Sequence, residues 1–407
     1  VFTLTARPRF DAHVRQCYLD NGLRGGFPTE VPGGAQLYLF GRKHGDLERD
    51  YNAFFLSAEY YSQGNGNYRD VNQNRRCDVL LEPRIGTFNI QTFMNLIQAD
   101  GYNPLVIQGS RFSLLPSQRR RLLEMVGNPP GLAQLLEKPF TPGQVLRAIE
   151  GQTTALPADE LLTQVVAAAE QNLEAEPGEG YWIDHWTYNL DLIDTYLSIY
   201  PEQEKCLLFD QATYTFYDND MVVRPRSEKY VLTPHGPRQY HATVKDREKG
   251  ALIQSRATAP HLMRSENGRG KVFYTNLFTK LICLAAVKFA TMDPAGMGIE
   301  MEAGKPGWYD ALNGLPALFG SSMPETYELL RLVSFLLQAI DKNPAQECPL
   351  PVEVYDLLEG LASHLSTYTS SAHLEGDFEY WDAAATARET YRTRIRLGFS
   401  GGMVSIQ

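Results

Sequence analysis

The sequence predicts an all-α protein whose pattern fits a closed (α/α)6 toroid with a small β-rich insertion. Three observations support this prediction. Ten segments place apolar residues at the spacing of an amphipathic helix, and two weaker segments lie near Ala12 and Val71. One stretch changes to strand-like sequence, and no repeat of fixed length is visible, which counts against a tetratricopeptide-like solenoid. An α-solenoid or an irregular helical bundle remains the alternative.

The helical segments have ordinary lengths and recognisable starts. Proline precedes or opens several of them, and Asp159 and Thr326 are placed in starting turns. In chain order the predicted helices are Leu47–Ser62, Ile90–Asp100, Pro116–Val126, Thr141–Glu150, Ala158–Glu174, Trp186–Ile199, Phe273–Thr291, Glu325–Asp341, Pro351–Leu365 and Tyr380–Ile395.

The helical pattern gives way to short strands at residues 205–245. Phe209–Tyr217 and Met221–Val223 flank the polar triplet Asp-Asn-Asp, which predicts a β-hairpin. Lys229–Thr233 and Gln239–Val244 are also strand-like. We therefore expect a β-rich insertion in an otherwise helical domain.

The composition is ordinary for a soluble globular protein, with 407 residues, 43% hydrophobic and 21% charged. The net charge of −10 argues against a general nucleic-acid-binding protein. No apolar run reaches the roughly 18 residues that span a bilayer. The longest run, Leu277–Ala290, is interrupted by Lys280 and Lys288. We therefore expect neither nucleic acid nor membrane as a partner.

One helical domain is predicted over residues 1–407, as a piece of a longer multidomain chain. The sequence opens Val-Phe-Thr-Leu and closes on Gly-Gly-Met-Val-Ser-Ile-Gln, which resembles a strand cut short. Five cysteines without CxxC spacing favour reduced thiols in the cytoplasm over a disulfide framework or a zinc site. No metal site is predicted.

Asp310 is the sharpest candidate for a catalytic group. It follows two aromatic residues in the glycine-rich segment GKPGWYDALNG, which indicates a loop that enters a helix. Trp308 could form the wall of a sugar site, and Asp310 could reach the glycosidic oxygen. An acid among aromatic rings has a raised pKa, as a general acid requires. The alternative is that Asp310 caps the helix beginning near Ala311.

The segment Tyr60–Arg76 combines aromatic residues with amides. It contains three tyrosines, two glycines, three amides before Arg69 and three more after Asp70. Amides and aromatic rings are the groups that recognise sugar hydroxyls and apolar sugar faces. The alternative is a glycine-containing turn with Arg69 and Asp70 as surface charges.

A second aromatic cluster occupies Tyr181–Asp191. Trp182 and Trp186 could bind further sugar units together with Asp184 and His185. Alternatively, Asp184 caps a helix whose Trp186 fills the core. His185 has no HxxxH or CxxC partner nearby, which argues against a metal site.

A basic segment, Ser255–Arg264, is followed by the glycine-containing Asn267–Lys271. It could approach a phosphate, but an exposed loop is the favoured interpretation.

Two motifs give the chain a resemblance to a known family. Tyr68-Arg-Asp-Val-Asn-Gln73 and Gly307-Trp-Tyr-Asp-Ala-Leu-Asn313 together resemble the cellobiose-phosphorylase-like inverting glycoside phosphorylases. The flanking stretches KHGDLERDYN, DHWTYNLDLIDTYL and NGLPALFGSSMPETYEL look more specifically like the β-1,3- and β-1,2-oligoglucan phosphorylases. The resemblance extends from about Cys17 to the C-terminus.

The resemblance assigns roles to individual residues. It implies that Asp310 is the general acid and that the YRDxxQ segment contacts the non-reducing-end sugar. The implied sugar contacts are Tyr68, Arg69, Asp70, Gln73 and Trp308. Gly307 and Tyr309 depart from the family's DWND pattern.

The resemblance also implies a fold and a reaction. The fold would be an (α/α)6 catalytic domain flanked by β-sandwich domains. The reaction would be inverting, reversible phosphorolysis of β-gluco-oligosaccharides, with β-1,3 favoured over β-1,2 linkage. It would release α-glucose 1-phosphate, using inorganic phosphate as co-substrate and no cofactor. A homodimer stays open as the assembly.

Two alternatives compete with phosphorolysis. An inverting hydrolase on the same toroid would need a second carboxylate roughly 6.5–9.5 Å from the acid, for which Glu300, Glu302 and Asp184 are candidates. A non-catalytic glucan-binding module would keep the aromatic residues without the chemistry.

Overall fold

The computed structural model describes residues 3–25, 27–39, 57–104, 106–176, 183–239, 243–293, 298–300, 321–370 and 376–406. This part of the chain is mostly helical, with fifteen α-helices and small antiparallel sheets of two or three strands. The predicted dominance of helix is therefore confirmed. These residues do not show a closed (α/α)6 toroid, which stays a prediction.

The helices and strands follow one another along the whole chain. The helices are α1 Pro8–Gly25, α2 Tyr68–Arg75, α3 Asp78–Leu81, α4 Phe88–Asn95, α5 Pro116–Val126, α6 Pro130–Leu135, α7 Pro142–Ile149, α8 Ala158–Ala168, α9 Ile183–Ile199, α10 Arg226–Lys229, α11 Arg247–Gln254, α12 Leu277–Phe289, α13 Met323–Lys342, α14 Val352–Ser370 and α15 Gly376–Arg394. The strands are β1 Phe27–Glu30, β2 Gln36–Leu39, β3 Gly66–Asn67, β4 Val106–Ser113, β5 Glu170–Glu176, β6 Met221–Val223, β7 Tyr230–Thr233, β8 Gly236–Gln239, β9 Thr243–Lys245, β10 Ile299–Glu300, β11 Ser321–Ser322, β12 Cys348–Pro351 and β13 Met403–Ile406.

The chain divides into two compact units. Unit 1 contains Val1–Phe88 and Leu105–Glu176, and unit 2 contains Asn89–Pro104 and Pro177–Gln407. In unit 1, β3, β4 and β5 form an antiparallel sheet, and β1 pairs with β2. Its hydrophobic core lies among β4 and α5–α8, where Phe112 is fully buried.

Unit 2 is organised around α12, which is almost entirely buried. Helices α13 and α14 and a π-helical turn at Cys206–Asp210 pack against α12, and α15 packs on α14. Lys288 near the end of α12 forms a buried ion pair with Glu325 of α13. Pairing allows a charged side chain to enter an otherwise apolar interface.

Lys280, which interrupts the apolar run of α12, is fully buried. Its Nζ donates hydrogen bonds to the carbonyl oxygens of Ile97 at 3.1 Å and Thr215 at 2.7 Å, and it lies 3.7 Å from the centre of the Phe216 ring. Burial lowers the pKa of Lys280 well below its ordinary value of 10.5. A neutral amine has two donors, so these two carbonyls satisfy both.

Most predicted helices are present, with their ends shifted by a few residues. Pro116–Val126 was predicted with the bounds that the structure shows. The prediction Ala158–Glu174 is wrong after Ala168, because Glu170–Glu176 forms a strand paired with Val106–Ser113. Local periodicity does not reveal a strand whose partner lies about sixty residues earlier.

The predicted helix Leu47–Ser62 falls largely outside the described residues. Its described end, 57–62, forms turns rather than helix. Tyr61 has a φ of +53°, a left-handed backbone conformation that a regular α-helix does not contain.

The predicted β-rich stretch contains strands, but its first hairpin is wrong. Met221–Val223 pairs with Thr243–Lys245 and not with Phe209–Tyr217. Within Phe209–Tyr217, the residues from Tyr214 onward are extended and bridge to Thr275 and Leu262. Their aromatic side chains are buried in unit 2, so long-range packing replaces the local hairpin.

Four described cysteines, Cys77, Cys206, Cys283 and Cys348, are free thiols, as expected. Among the described helices, none combines the length and the apolar character needed to cross a membrane.

Candidate functional site

The residues predicted around the catalytic acid lie outside the described part of the chain. Asp310 and Trp308 belong to residues 301–320, and Trp182 belongs to 177–182. Asp184 and His185 lie in the first turn of α9, but the structure does not describe their side chains. The roles proposed for these five residues stay predictions.

Trp186 is described, and its side chain is only 2% exposed. A ring that stacks on a sugar needs an open face. This burial favours the core-packing alternative for Trp186, and its role as a sugar-stacking surface stays a prediction.

The motif that begins at Tyr68 forms helix α2, immediately after β3. The side chain of Asn67 caps this helix by accepting a hydrogen bond of 3.0 Å from the backbone N–H of Arg69. Tyr68 is fully buried, whereas Gln73 is exposed. The helix therefore separates members of the motif, with its first residues turned inward and Gln73 on the surface.

Asp70 is the buried carboxylate of this motif and is 8% exposed. Arg69 Nε donates to Asp70 Oδ1 at 2.9 Å. Asp70 Oδ2 is buried and has no hydrogen-bond partner among the described residues. The alternative that Asp70 is a surface charge is therefore excluded. An oxygen in this position is ready to accept a hydrogen bond from a ligand.

Arg75 fixes the far end of α2, a function that the sequence did not indicate. Its guanidinium lies 3.4 Å from the centre of the Tyr38 ring and 3.6 Å from Asp78 Oδ2. Tyr38 also donates to Asp78 at 3.0 Å. Burial lowers the pKa of Arg75, and the nearby Asp78 opposes that effect. This group of three side chains holds the helix, so that its first turn keeps a fixed position.

A polar cavity of about 160 Å³ lies in unit 1, and we call it the amide cavity. Four amides, three hydroxyls, one carboxylate and one guanidinium line it. They belong to Ser57, Glu59, Gln63, Asn65, Gln108, Ser110, Arg111, Thr141 and Gln144. Gln63 and Asn65 come from the amide-rich segment that the sequence analysis selected, whereas the other seven were not predicted.

Gln63 fixes one wall of the amide cavity by bonding to β4 at two points. Its Oε1 accepts from the backbone N–H of Ser110 at 2.8 Å, and its Nε2 donates to the Ser110 carbonyl at 3.1 Å. The neighbouring Gly109 has a φ of +107° and lies at an irregularity in the pairing of β4 with β5. The irregularity lets the side chain of Gln63 pair with the strand backbone.

The start of α7 forms the opposite wall. Thr141 and Gln144 form a reciprocal capping box, with bonds of 3.0 and 3.2 Å. Thr141 Oγ1 also donates to Glu59 Oε1 at 2.8 Å, which places that carboxylate at a helix N-terminus. A Cβ on Gly143 would lie 2.2 Å from the carbonyl oxygen of Tyr60, so only glycine fits this approach.

The charge of Arg111 lies toward solvent. It pairs with Glu174 at 3.5 Å, and the two side chains are 39% and 45% exposed. An exposed pair contributes little to stability. The rest of the lining offers mixed donors and acceptors, which is the chemistry that hydroxyl-rich ligands match.

The basic segment Ser255–Arg264 is not simply an exposed loop. The side chain of Arg256 is 4% exposed and pairs with Asp218 at 2.8 Å. Arg264 donates to the carbonyl oxygens of Thr258 and Gly270. These arginines therefore hold the backbone of unit 2 together.

The described residues contain no group of three or more histidines, cysteines or carboxylates placed to hold a metal ion. In comparisons with known proteins, no family model and no curated protein matches this chain.

Proposed function

We propose that the protein is an inverting glycoside phosphorylase that acts on β-linked gluco-oligosaccharides. It would release α-glucose 1-phosphate from the non-reducing end, reversibly, with β-1,3-linked chains favoured over β-1,2-linked ones. The finer architecture of the proposal is an (α/α)6 catalytic domain.

The observation that carries the proposal is the buried carboxylate of Asp70. It lies in the first turn of α2, within the segment that resembles the phosphorylase sugar-contact motif. One of its oxygens is bound by Arg69 and the other has no partner among the described residues. A substrate hydroxyl would satisfy that oxygen and remove the cost of burying it unpaired.

The amide cavity of unit 1 gives independent support. Its amides and hydroxyls can donate and accept, as sugar recognition requires, and Gln63 and Asn65 belong to the segment that leads into the same motif. The proposal assigns it no catalytic role, because sugar binding is all that its lining supports.

In the proposed reaction a phosphate oxygen forms a bond to the anomeric carbon as the glycosidic C–O bond breaks. Asp310 gives its proton to the departing oxygen, and Trp308 stacks on the sugar. Phosphate is already an anionic nucleophile, so the base that an inverting hydrolase uses to activate water is unnecessary. A single catalytic carboxylate is enough. Tyr68, Arg69, Asp70 and Gln73 would hold the sugar.

The full protein should be incubated with laminari- and sophoro-oligosaccharides, with and without inorganic phosphate, while glucose 1-phosphate and free glucose are measured. Phosphate-dependent glucose 1-phosphate is the expected result. Free glucose formed at the same rate without phosphate would instead indicate a hydrolase. Binding of the sugars without either product would indicate a glucan-binding module.

A further inference from the structure

Unit 2 contains a cavity of about 210 Å³ that no predicted role uses. We call it the Arg224 cavity. Much of its wall is apolar and comes from separate elements of unit 2. These apolar residues are Tyr217, Val222, Val223, Val244, Met263 and Ile395.

Two acids of the wall are neutralised by neighbouring cations. Asp218, which is 3% exposed, accepts from Lys249 at 2.8 Å and from Arg256 at 2.8 Å. Glu389 pairs with Arg226 at 3.1 Å. These carboxylates therefore have little remaining capacity for a ligand.

Other charges of the wall are also engaged. Arg396 pairs with Asp246 and Glu248. Asp100 and Arg392 each interact with other residues. Glu228 is exposed to solvent, where its charge is screened.

Arg224 is the exception. It ends the short segment after β6, directly before Pro225, and its side chain is half-buried. Its Nε is buried and has no hydrogen-bond partner among the described residues. A buried guanidinium N–H without an acceptor costs free energy, which a ligand with anionic oxygens would recover.

We propose that the Arg224 cavity binds a small organic acid, with one carboxylate on Arg224 and an apolar body against the valines. The planar guanidinium matches a carboxylate, which it can bind at two points. One such cation balances one negative charge. A phosphate dianion would call for a second uncommitted cation, and the other cations of this wall, Lys249, Arg392 and Arg396, already have partners.

Isothermal titration of the full protein with benzoate tests this proposal, with benzamide as an uncharged probe of the same shape and inorganic phosphate as an anion without an apolar body. Benzoate should bind more tightly than either. Arg224→Gln should weaken benzoate binding about tenfold or more, because one charge-assisted contact is lost. The control Arg247→Gln changes an exposed arginine of α11 outside the cavity, and it should leave binding unchanged.

Equal binding of benzoate by wild type and Arg224→Gln would overturn the proposal. So would equal binding of benzamide and benzoate, or of phosphate and benzoate, by the wild type. The probe comparison uses unmodified protein, so it decides the matter even where Arg224→Gln fails to fold. The result is independent of phosphorolysis, which has its own assay.

Discussion

The amide cavity of unit 1 and the Arg224 cavity of unit 2 are similar in volume but opposite in chemistry. The first is lined by neutral amides and hydroxyls, with its arginine turned toward solvent. The second has apolar walls and many charges, of which the arginine at the end of β6 lacks a partner in the described chain. The difference indicates two ligand classes, a polyhydroxyl compound in unit 1 and an organic anion in unit 2.

The largest effect is expected from Asp310→Asn. The amide keeps the shape of the side chain but cannot deliver a proton, so kcat for phosphorolysis should fall by about 10²–10⁴-fold. Benzoate affinity should stay unchanged, which would separate the reaction from the Arg224 cavity. Initial rates and titrations on the same preparation measure both. A variant that keeps more than roughly a tenth of the wild-type kcat would remove Asp310 from the role.

Trp186→Ala should lower the free energy of unfolding by about 3–5 kcal/mol, because it empties a buried site. Its effect on kcat/KM should be the same for short and long laminari-oligosaccharides. Trp182→Ala is the matched comparison, and its loss should grow with chain length. Chemical denaturation and a series from laminaribiose to laminaripentaose test both statements. A loss that grows with chain length in Trp186→Ala would return that ring to the sugar site.

Gly143→Ala tests the wall of the amide cavity. The added methyl group would lie 2.2 Å from the Tyr60 carbonyl oxygen, so the free energy of unfolding should fall by about 1–3 kcal/mol. The control is Gly360→Ala in α14, where the nearest atom listed for a new Cβ is 3.9 Å away. That change should be neutral or should stabilise by about 0.5–1 kcal/mol. Equal effects at the two positions would contradict the close approach.

Lys280→Met gives the smallest and most specific signal. The folded protein lowers the pKa of Lys280, so between that pKa and 10.5 the unfolded chain binds the extra proton. Lys280 therefore makes stability rise with pH in this window, and the variant should lose that rise. The stability of wild type minus variant, measured by denaturation at several pH values up to about 10, should increase with pH. A constant difference would show that the amine is charged in the folded state.

Local pattern predicted those elements whose reasons are local. Pro116–Val126 begins at a proline, buries Leu122 and Val126, and is followed by Gly127 at a φ of +84°. Each of these signals stands in the sequence. Glu170–Glu176 carried a helical pattern, but it became a strand because β4 was available as a partner. Pairing over such a separation leaves no local trace.

The same limit applies to the candidate site. Gln63 and Asp70 could be selected because amides, aromatic residues and a motif surround them in the sequence. Ser110 and Thr141 could not, since their contacts with Gln63 and Glu59 join residues 47 and 82 positions apart. Arg224 was also missed, because only the folded chain shows which arginines have found a partner.

The central claim is inverting phosphorolysis, and nuclear magnetic resonance of the sugar phosphate formed from laminaritriose and inorganic phosphate tests it most directly. The β-linked substrate should give α-glucose 1-phosphate as the first product, with one molecule formed for each bond cleaved. Formation of β-glucose 1-phosphate would contradict inversion. Release of free glucose in place of the phosphate ester would contradict phosphorolysis itself.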